Sequence, residues 1–117
     1  MLNLPTNLRI YLCVQPVDLR KSFDGLSGLV ESVFQQNILD GHLFLFVNKR
    51  RDRMKAMWWD RDGFIIWYKR LERGSFEIPQ RSGDEQHLTI DATELAMLLG
   101  GVSLGSAKRR KRFSLAG

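Results

Sequence analysis

At 117 residues the chain suits one domain, long enough to bury a core without disulfide or metal staples and too short for two full domains. Its composition, 44% hydrophobic and 26% charged, is that of a folded soluble protein, and no apolar run approaches the roughly 20 residues that cross a bilayer. The formal charge of +5 is local: residues 1–106 hold 13 Lys or Arg and 13 Asp or Glu, and the excess falls on Lys108, Arg109, Arg110, Lys111 and Arg112. One cysteine, Cys13, allows no internal disulfide and no CxxC metal knuckle, so it reads as a buried small hydrophobe. MLNLPTNLRIYLCV lacks the basic start, long apolar run and cleavage site of a signal peptide, so a cytoplasmic location is expected.

Leu8, Ile10, Leu12 and Val14 alternate with Arg9, Tyr11, Cys13 and Gln15, a period of two that predicts a half-buried strand stopped by Pro16. From Asp18, placed as an N-cap, the period changes. Leu19, Phe23, Leu26, Val30 and then Val33 or Phe34 recur at three- and four-residue steps, which predicts an amphipathic helix ending near Gln36. Gly25 and Gly28 each cost this helix about 1 kcal/mol against Ala, and predict close approach of another backbone.

LFLFVN, RMKAMWWD and FIIWYKRL then predict a meander of antiparallel strands joined through NKRRD and DRDG. Asp60-Arg61-Asp62-Gly63 reads as a type I turn with Gly63 in the left-handed bulge position, pairing Asp60 with Phe64. That register puts Met57, Trp59, Ile65 and Trp67 on one face, and Met54, Trp58, Ile66 and Tyr68 on the other. Shorter strands are predicted at residues 76–78 and 87–90. Asp91 and Glu94 form a capping-box start for ATELAMLL, a second helix ended by Gly100.

The fold expected is α+β: an antiparallel β-meander sheet of four to six strands with two helices packed on one face. It occupies a single domain over residues 1–102, followed by a disordered basic C-terminal tail over residues 103–117. Both faces of the meander are apolar, so the face without helices is left to a partner, the tail or a second copy.

The runs DLRKSFDGL (residues 18–26), GHLFLFVNKRRDRMKAMWWDRDGFIIWYKRLERGSFEIP (41–79) and LAMLLGG (95–101) resemble the TnpB accessory proteins of the insertion-sequence family numbered sixty-six. The likeness covers nearly all of residues 3–102. It implies a bacterial accessory role in transposition, beside a separate and much larger DDE-type transposase, and it supplies no molecular mechanism. Residues 100–104, GGVSL, depart from the family's tendency to Glu, Gly, Ile, Asp and Trp.

The residues themselves favour binding over catalysis. Metal-assisted strand transfer needs several carboxylates converging on two cations about 3.5–4 Å apart. Asp60 and Asp62 are the one tempting pair and read as turn residues, while Asp84 and Glu85 read as a solvated loop. His42 and His87 have no Cys nearby. No catalytic residue, metal site or cofactor is expected. Lys49, Arg50, Arg51, Arg53 and Lys55, by contrast, crowd one hairpin tip against Asp52 alone, and clustered cations are the footprint of phosphate contact. These five and the five tail cations are the nucleic-acid-binding candidates; Lys69, Arg70 and Arg73 extend the patch if strand alternation lets them. Arg20 and Lys21 lie between Asp18 and Asp24, with Asp24 spaced to pair with Arg20.

At least one of Trp58, Trp59 and Trp67 must be core, and the rest are candidates for a partner interface. Two functions of different class follow. One is a DNA-binding accessory factor that helps the transposase engage or bend element ends. The other is a protein-interaction module that binds the transposase without touching DNA. The partners expected are element-end DNA, the transposase and, through the tryptophans, a second copy in a homodimer. No membrane is among them.

Overall fold

The computed structural model describes residues 8–79 and 85–100. Five strands, β1 (Ile10–Cys13), β2 (Leu43–Val47), β3 (Arg53–Asp60), β4 (Gly63–Arg70) and β5 (His87–Ile90), form one sheet in the order β4-β3-β2-β1-β5. Helix α1 (Phe23–Ser32) lies between β1 and β2 in the chain, and helix α2 (Ala92–Gly100) follows β5.

The sheet is mixed. The meander of β2, β3 and β4 is antiparallel as expected, and β5 runs antiparallel to β1. β1 and β2, however, are parallel, pairing Ile10 with Leu43 and Leu12 with Leu45. A parallel pair cannot be closed by a tight turn, and here α1 and a 3₁₀ turn at Ile38–Asp40 make the crossover. The two parallel strands are the most apolar, IYLC and LFLFV, and every residue in them is buried. β1 is therefore covered on both faces, not half-buried, because a strand interior to the sheet has no solvent face here.

The helices lie on opposite faces, which corrects the expectation that both pack on one. On one face Leu26, Val30 and Phe34 pack over Tyr11, Cys13, Phe44, Phe46 and Met57. On the other, Leu98 of α2 joins Phe76 and Ile78 over Ile10, Leu12, Leu43, Leu45, Val47, Met54, Ala56 and Trp58. Phe76 and Ile78 belong to no strand; their backbone is irregular, and it is their side chains that close this layer. At about 1.5–3 kcal/mol for each large apolar side chain removed from water, both layers contribute to stability; they enclose β1 and β2 on both faces, while the residues of β4 stay half-buried or exposed.

The β3–β4 hairpin differs from expectation by one residue. Asp60 pairs with Gly63, Trp59 with Phe64, Trp58 with Ile65 and Lys55 with Tyr68. The loop is two residues, Arg61 and Asp62, with Arg61 at φ 58° and the Asp62 N–H donating to the Asp60 carbonyl. A one-residue slip moves a whole strand's side chains to the opposite face. Met54, Ala56 and Trp58 thus share a face with Ile65 and Trp67, and Lys55, Met57 and Trp59 share the other with Phe64, Ile66 and Tyr68.

α1 also starts later than its periodicity suggested, at Phe23 after Ser22, so Asp18 is not its N-cap. The side chain of Asp18 is used in a turn of its own. An added Cβ at Gly28 would meet nothing, while one at Gly25 would meet the Lys21 side chain at 3.1 Å; neither glycine marks a backbone approach. α2 begins as expected: the Glu94 N–H donates to Asp91 Oδ1 (2.7 Å) and the Asp91 N–H to Glu94 Oε1 (3.1 Å), a reciprocal capping box.

Candidate functional site

After β1 the chain stays beside β2, and the Val17 N–H donates to the Val47 carbonyl at 2.9 Å, extending the parallel pairing past Pro16. This carries residues 16–20 alongside the β2–β3 turn. Between them opens a groove of about 1200 Å³, walled by residues 16–20 on one side and by Lys49, Arg50, Arg53, Lys55 and Tyr68 on the other, with Asn48 and Asp52 also in its lining. Two sequence motifs separated by some 30 residues, DLR and NKRRDRMK, thereby become one surface.

The β2–β3 turn is held by Asn48. Its Oδ1 accepts from the Asp52 N–H (3.1 Å) and the Arg53 N–H (3.0 Å), and its Nδ2 donates to Asp52 Oδ1 (2.7 Å). Backbone bonds complete the turn, from Asn48 N–H to the Arg53 carbonyl (3.2 Å) and from Arg51 N–H to the Asn48 carbonyl (3.0 Å). Arg51 takes φ 60°, and its carbonyl accepts from the Phe76 N–H at 2.6 Å, while the Asp52 carbonyl accepts from the Leu71 N–H at 2.7 Å. The cations therefore project from a turn fixed to the core through Phe76. The Asn48 side chain holds the Asp52 carboxyl below its ordinary range, with Arg53 and Arg50 adding smaller electrostatic effects.

Across the groove Asp18 folds back on Arg20. Its Oδ1 accepts from the Arg20 backbone N–H (3.0 Å), and Arg20 Nη2 donates to Oδ2 at 2.8 Å. These bonds hold the Asp18 carboxyl well below the usual carboxylate range. Arg20 thus pairs with Asp18 rather than with Asp24.

Among the described residues Lys49, Arg50, Arg53 and Lys55 make no salt bridge. Arg53 stands directly across from Arg70, a like-charge pair in which Glu72 forms a salt bridge to Arg70 (2.9 Å) while Arg53 has only the weaker electrostatic effect of Asp52. Lys55 donates to the Lys21 carbonyl at 3.4 Å and lies 5.8 Å from the Tyr68 ring centroid. The groove wall carries four cations, Lys49, Arg50, Arg53 and Lys55, against Asp52, whose carboxylate is engaged by Asn48 and makes no salt bridge.

The remaining candidates disperse. Arg51 lies outside the groove lining. Lys69 is on the opposite face, where its Nζ donates to the Leu99 carbonyl (3.4 Å) near the C-terminus of α2, a structural use of its charge. Arg73 is exposed. Lys108, Arg109, Arg110, Lys111 and Arg112 lie outside the described residues. Trp58 is enclosed in the α2-side core and offers no surface, Trp67 packs half-buried against the same core, and Trp59 meets Phe64 edge-on at 5.0 Å on the α1 side. Asp60 and Asp62 are exposed at the far end of the sheet, and no group of three or more His, Cys, Asp or Glu among the described residues is placed to hold a metal. No described helix is long and apolar enough to cross a membrane.

Sequence reasoning missed Asn48 and Tyr68. A polar side chain ending an all-apolar strand, just before a run of cations, is the signal that could have found Asn48.

Comparison with known proteins bears on the chain as a whole. The family model described as IS66 Orf2 like protein matches residues 8–109. The uncharacterized protein y4jC of Sinorhizobium fredii (strain NBRC 101917 / NGR234) is 34% identical over 110 residues, covering 94% of this chain and 92% of the relative. A second uncharacterized protein of that strain, y4hO, is 33% identical over 102 residues, covering 87% of each. No solved structure matches.

Proposed function

Because the chain belongs to the IS66 Orf2-like family, a family of transposition-associated accessory proteins, we propose that it serves transposition by binding DNA phosphates in the groove between residues 16–20 and the β2–β3 turn. It thereby assists a separate transposase at the element ends. One observation carries the reading: Lys49, Arg50, Arg53 and Lys55 line one wall, on a turn whose backbone is held by Asn48, and make no salt bridge among the described residues. A turn needing only solubility has no use for cations held in register. Cations outside salt bridges meet phosphates without first breaking an ion pair.

The test is fluorescence anisotropy with element-end DNA, supplied both as a duplex and as separated strands, over a range of salt. Each phosphate neutralised contributes roughly −0.9 to the slope of log affinity against log salt on a duplex and roughly −0.7 on a single strand. The variant carrying Lys49→Gln, Arg50→Gln, Arg53→Gln and Lys55→Gln should bind more weakly and lose up to about 3.6 units of slope on a duplex or about 2.8 on a single strand. Equal affinity and slope in a folded variant would overturn the assignment. No DNA binding by the native chain, with capture of the transposase retained, would favour the protein-interaction module.

A further inference from the structure

We propose that the groove takes single-stranded DNA, with one base stacked on Tyr68 and the flanking phosphates on Lys49, Arg50, Arg53 and Lys55. The inference rests on the nucleic-acid reading above and specifies which form of DNA the groove fits.

Tyr68 is the reason. The residue is 48% exposed on a strand whose neighbouring same-face residues, Phe64 and Ile66, are packed against the α1-side core. It sits within the lining of the groove that also carries Lys49, Arg50, Arg53 and Lys55. β4 is an edge strand, so the ring has β3 and Lys55 on one side and no strand on the other. An aromatic surface left open beside fixed cations gains nothing for the core. It does match the pairing of a stacking platform with a charged track that single-strand binders use.

The geometry also discriminates against a duplex. In a duplex the faces of the bases are covered by neighbouring pairs, and a ring in the wall of a concave groove has no base face to meet. A single strand presents both, its bases unstacked and its phosphates flexible enough to follow a curved wall. The like-charge pair of Arg53 and Arg70 lies on the same sheet face as Tyr68, two residues along each strand from the Lys55–Tyr68 pair. A phosphate neighbouring the stacked base would relieve that repulsion. Lys55, already 5.8 Å from the ring centroid, would add its charge to the same stack.

The test compares an oligothymidylate, the same oligomer with every base replaced by an abasic spacer, and a duplex of equal length, at one salt concentration, on the native chain, Tyr68→Leu and Tyr68→Phe. The native chain should hold the single strand more tightly than the duplex. Tyr68→Leu should weaken single-strand binding by roughly 5- to 150-fold while changing duplex binding little, and Tyr68→Phe should keep it. Tyr68 is exposed, so the fold should survive; melting curves verify this, and the spacer oligomer decides on the native chain alone if it does not. Duplex binding as tight as single-strand binding, with no effect of Tyr68→Leu or of the spacers, would overturn this inference and leave the phosphate-binding groove in place. Binding of neither form by the folded native chain would overturn both.

Discussion

Replacing Asn48 with Ala tests whether the basic turn is fixed or merely crowded. The substitution leaves every cation in the chain and removes the one side chain that ties the turn together. Two backbone donors, the N–H groups of Asp52 and Arg53, lose Asn48 Oδ1 as acceptor. The turn is only partly buried, so water replaces some of what is lost, and each bond contributes about 0.5–1 kcal/mol. The bond to the exposed Asp52 carboxylate is screened and left out of the sum. The expected loss is about 1–2 kcal/mol, and at roughly 4 °C per kcal/mol for a domain of this size, melting should fall by about 4–8 °C. Amide exchange at Arg51, Asp52 and Arg53 should quicken more than exchange in the sheet, because the loss is local. Oligonucleotide affinity should drop although the charge is unchanged, since the cations must then be ordered on binding. Thermal melting by circular dichroism, paired with exchange measured by NMR, reads all of this. A melting temperature within about 1 °C of the native value, with exchange at the turn unaltered, would refute the clamp.

Leu98→Ala should cost about 2–5 kcal/mol if α2 covers the sheet face opposite α1, since Leu98 is fully buried; chemical denaturation showing under 1 kcal/mol would contradict that placement. Burial raises the Cys13 thiol above its ordinary value, so thiol reagents at pH 8 should modify it only after denaturant is added, and rapid labelling of the native chain would count against its enclosure. For Asp52 the folded value lies below the unfolded one of about 3.9, so its contribution to stability is present above that pH and fades as pH falls through the lower folded value. NMR titration of its carboxyl should therefore show it still ionised at about pH 3.9, and a midpoint there or higher would remove the Asn48 contact as a cause.

What was legible in the sequence was local. The β-rich run FIIWYKRL, the Asp91–Glu94 box and the density of cations at residues 49–55 each express their meaning within a few residues, and a strand, a capping box and a basic turn form there. What was not legible depends on pairing at a distance. Nothing in IYLC or LFLFV says that they run parallel, yet that choice brings residues 16–20 against the β2–β3 turn and creates the groove. The faces of the helices were equally hidden. α1 and α2 are apolar enough to cover either side, and the segment carrying Phe76 and Ile78, read as a strand, supplies the second cover. The start of α1 was misplaced because Leu19 fits a helical period while serving as a buried residue of a turn.

The hairpin at Arg61 and Asp62 reaches further than its position suggests. Had Asp60 paired with Phe64, Tyr68 would have stood opposite Ala56 and faced α2. In the observed register it stands opposite Lys55 and faces the groove, about 17 Å from the turn that decides it. Arg61 holds that two-residue loop at φ 58°, where an L side chain costs about 1–2 kcal/mol and glycine sits freely. Glycine also enlarges the unfolded ensemble, by about 0.4–1 kcal/mol, which offsets much of the relief. Arg61→Gly should therefore be neutral to slightly stabilising, raising melting by no more than about 6 °C, and should keep the cross-strand contact between Lys55 and Tyr68. Oligonucleotide binding should be unchanged, because the removed charge lies outside the groove. NMR cross-peaks between the Lys55 and Tyr68 strands read the register directly. Loss of those cross-peaks with binding intact would separate the groove from the register, and a fall in melting temperature of several degrees would show that Arg61 stabilises the turn through its side chain.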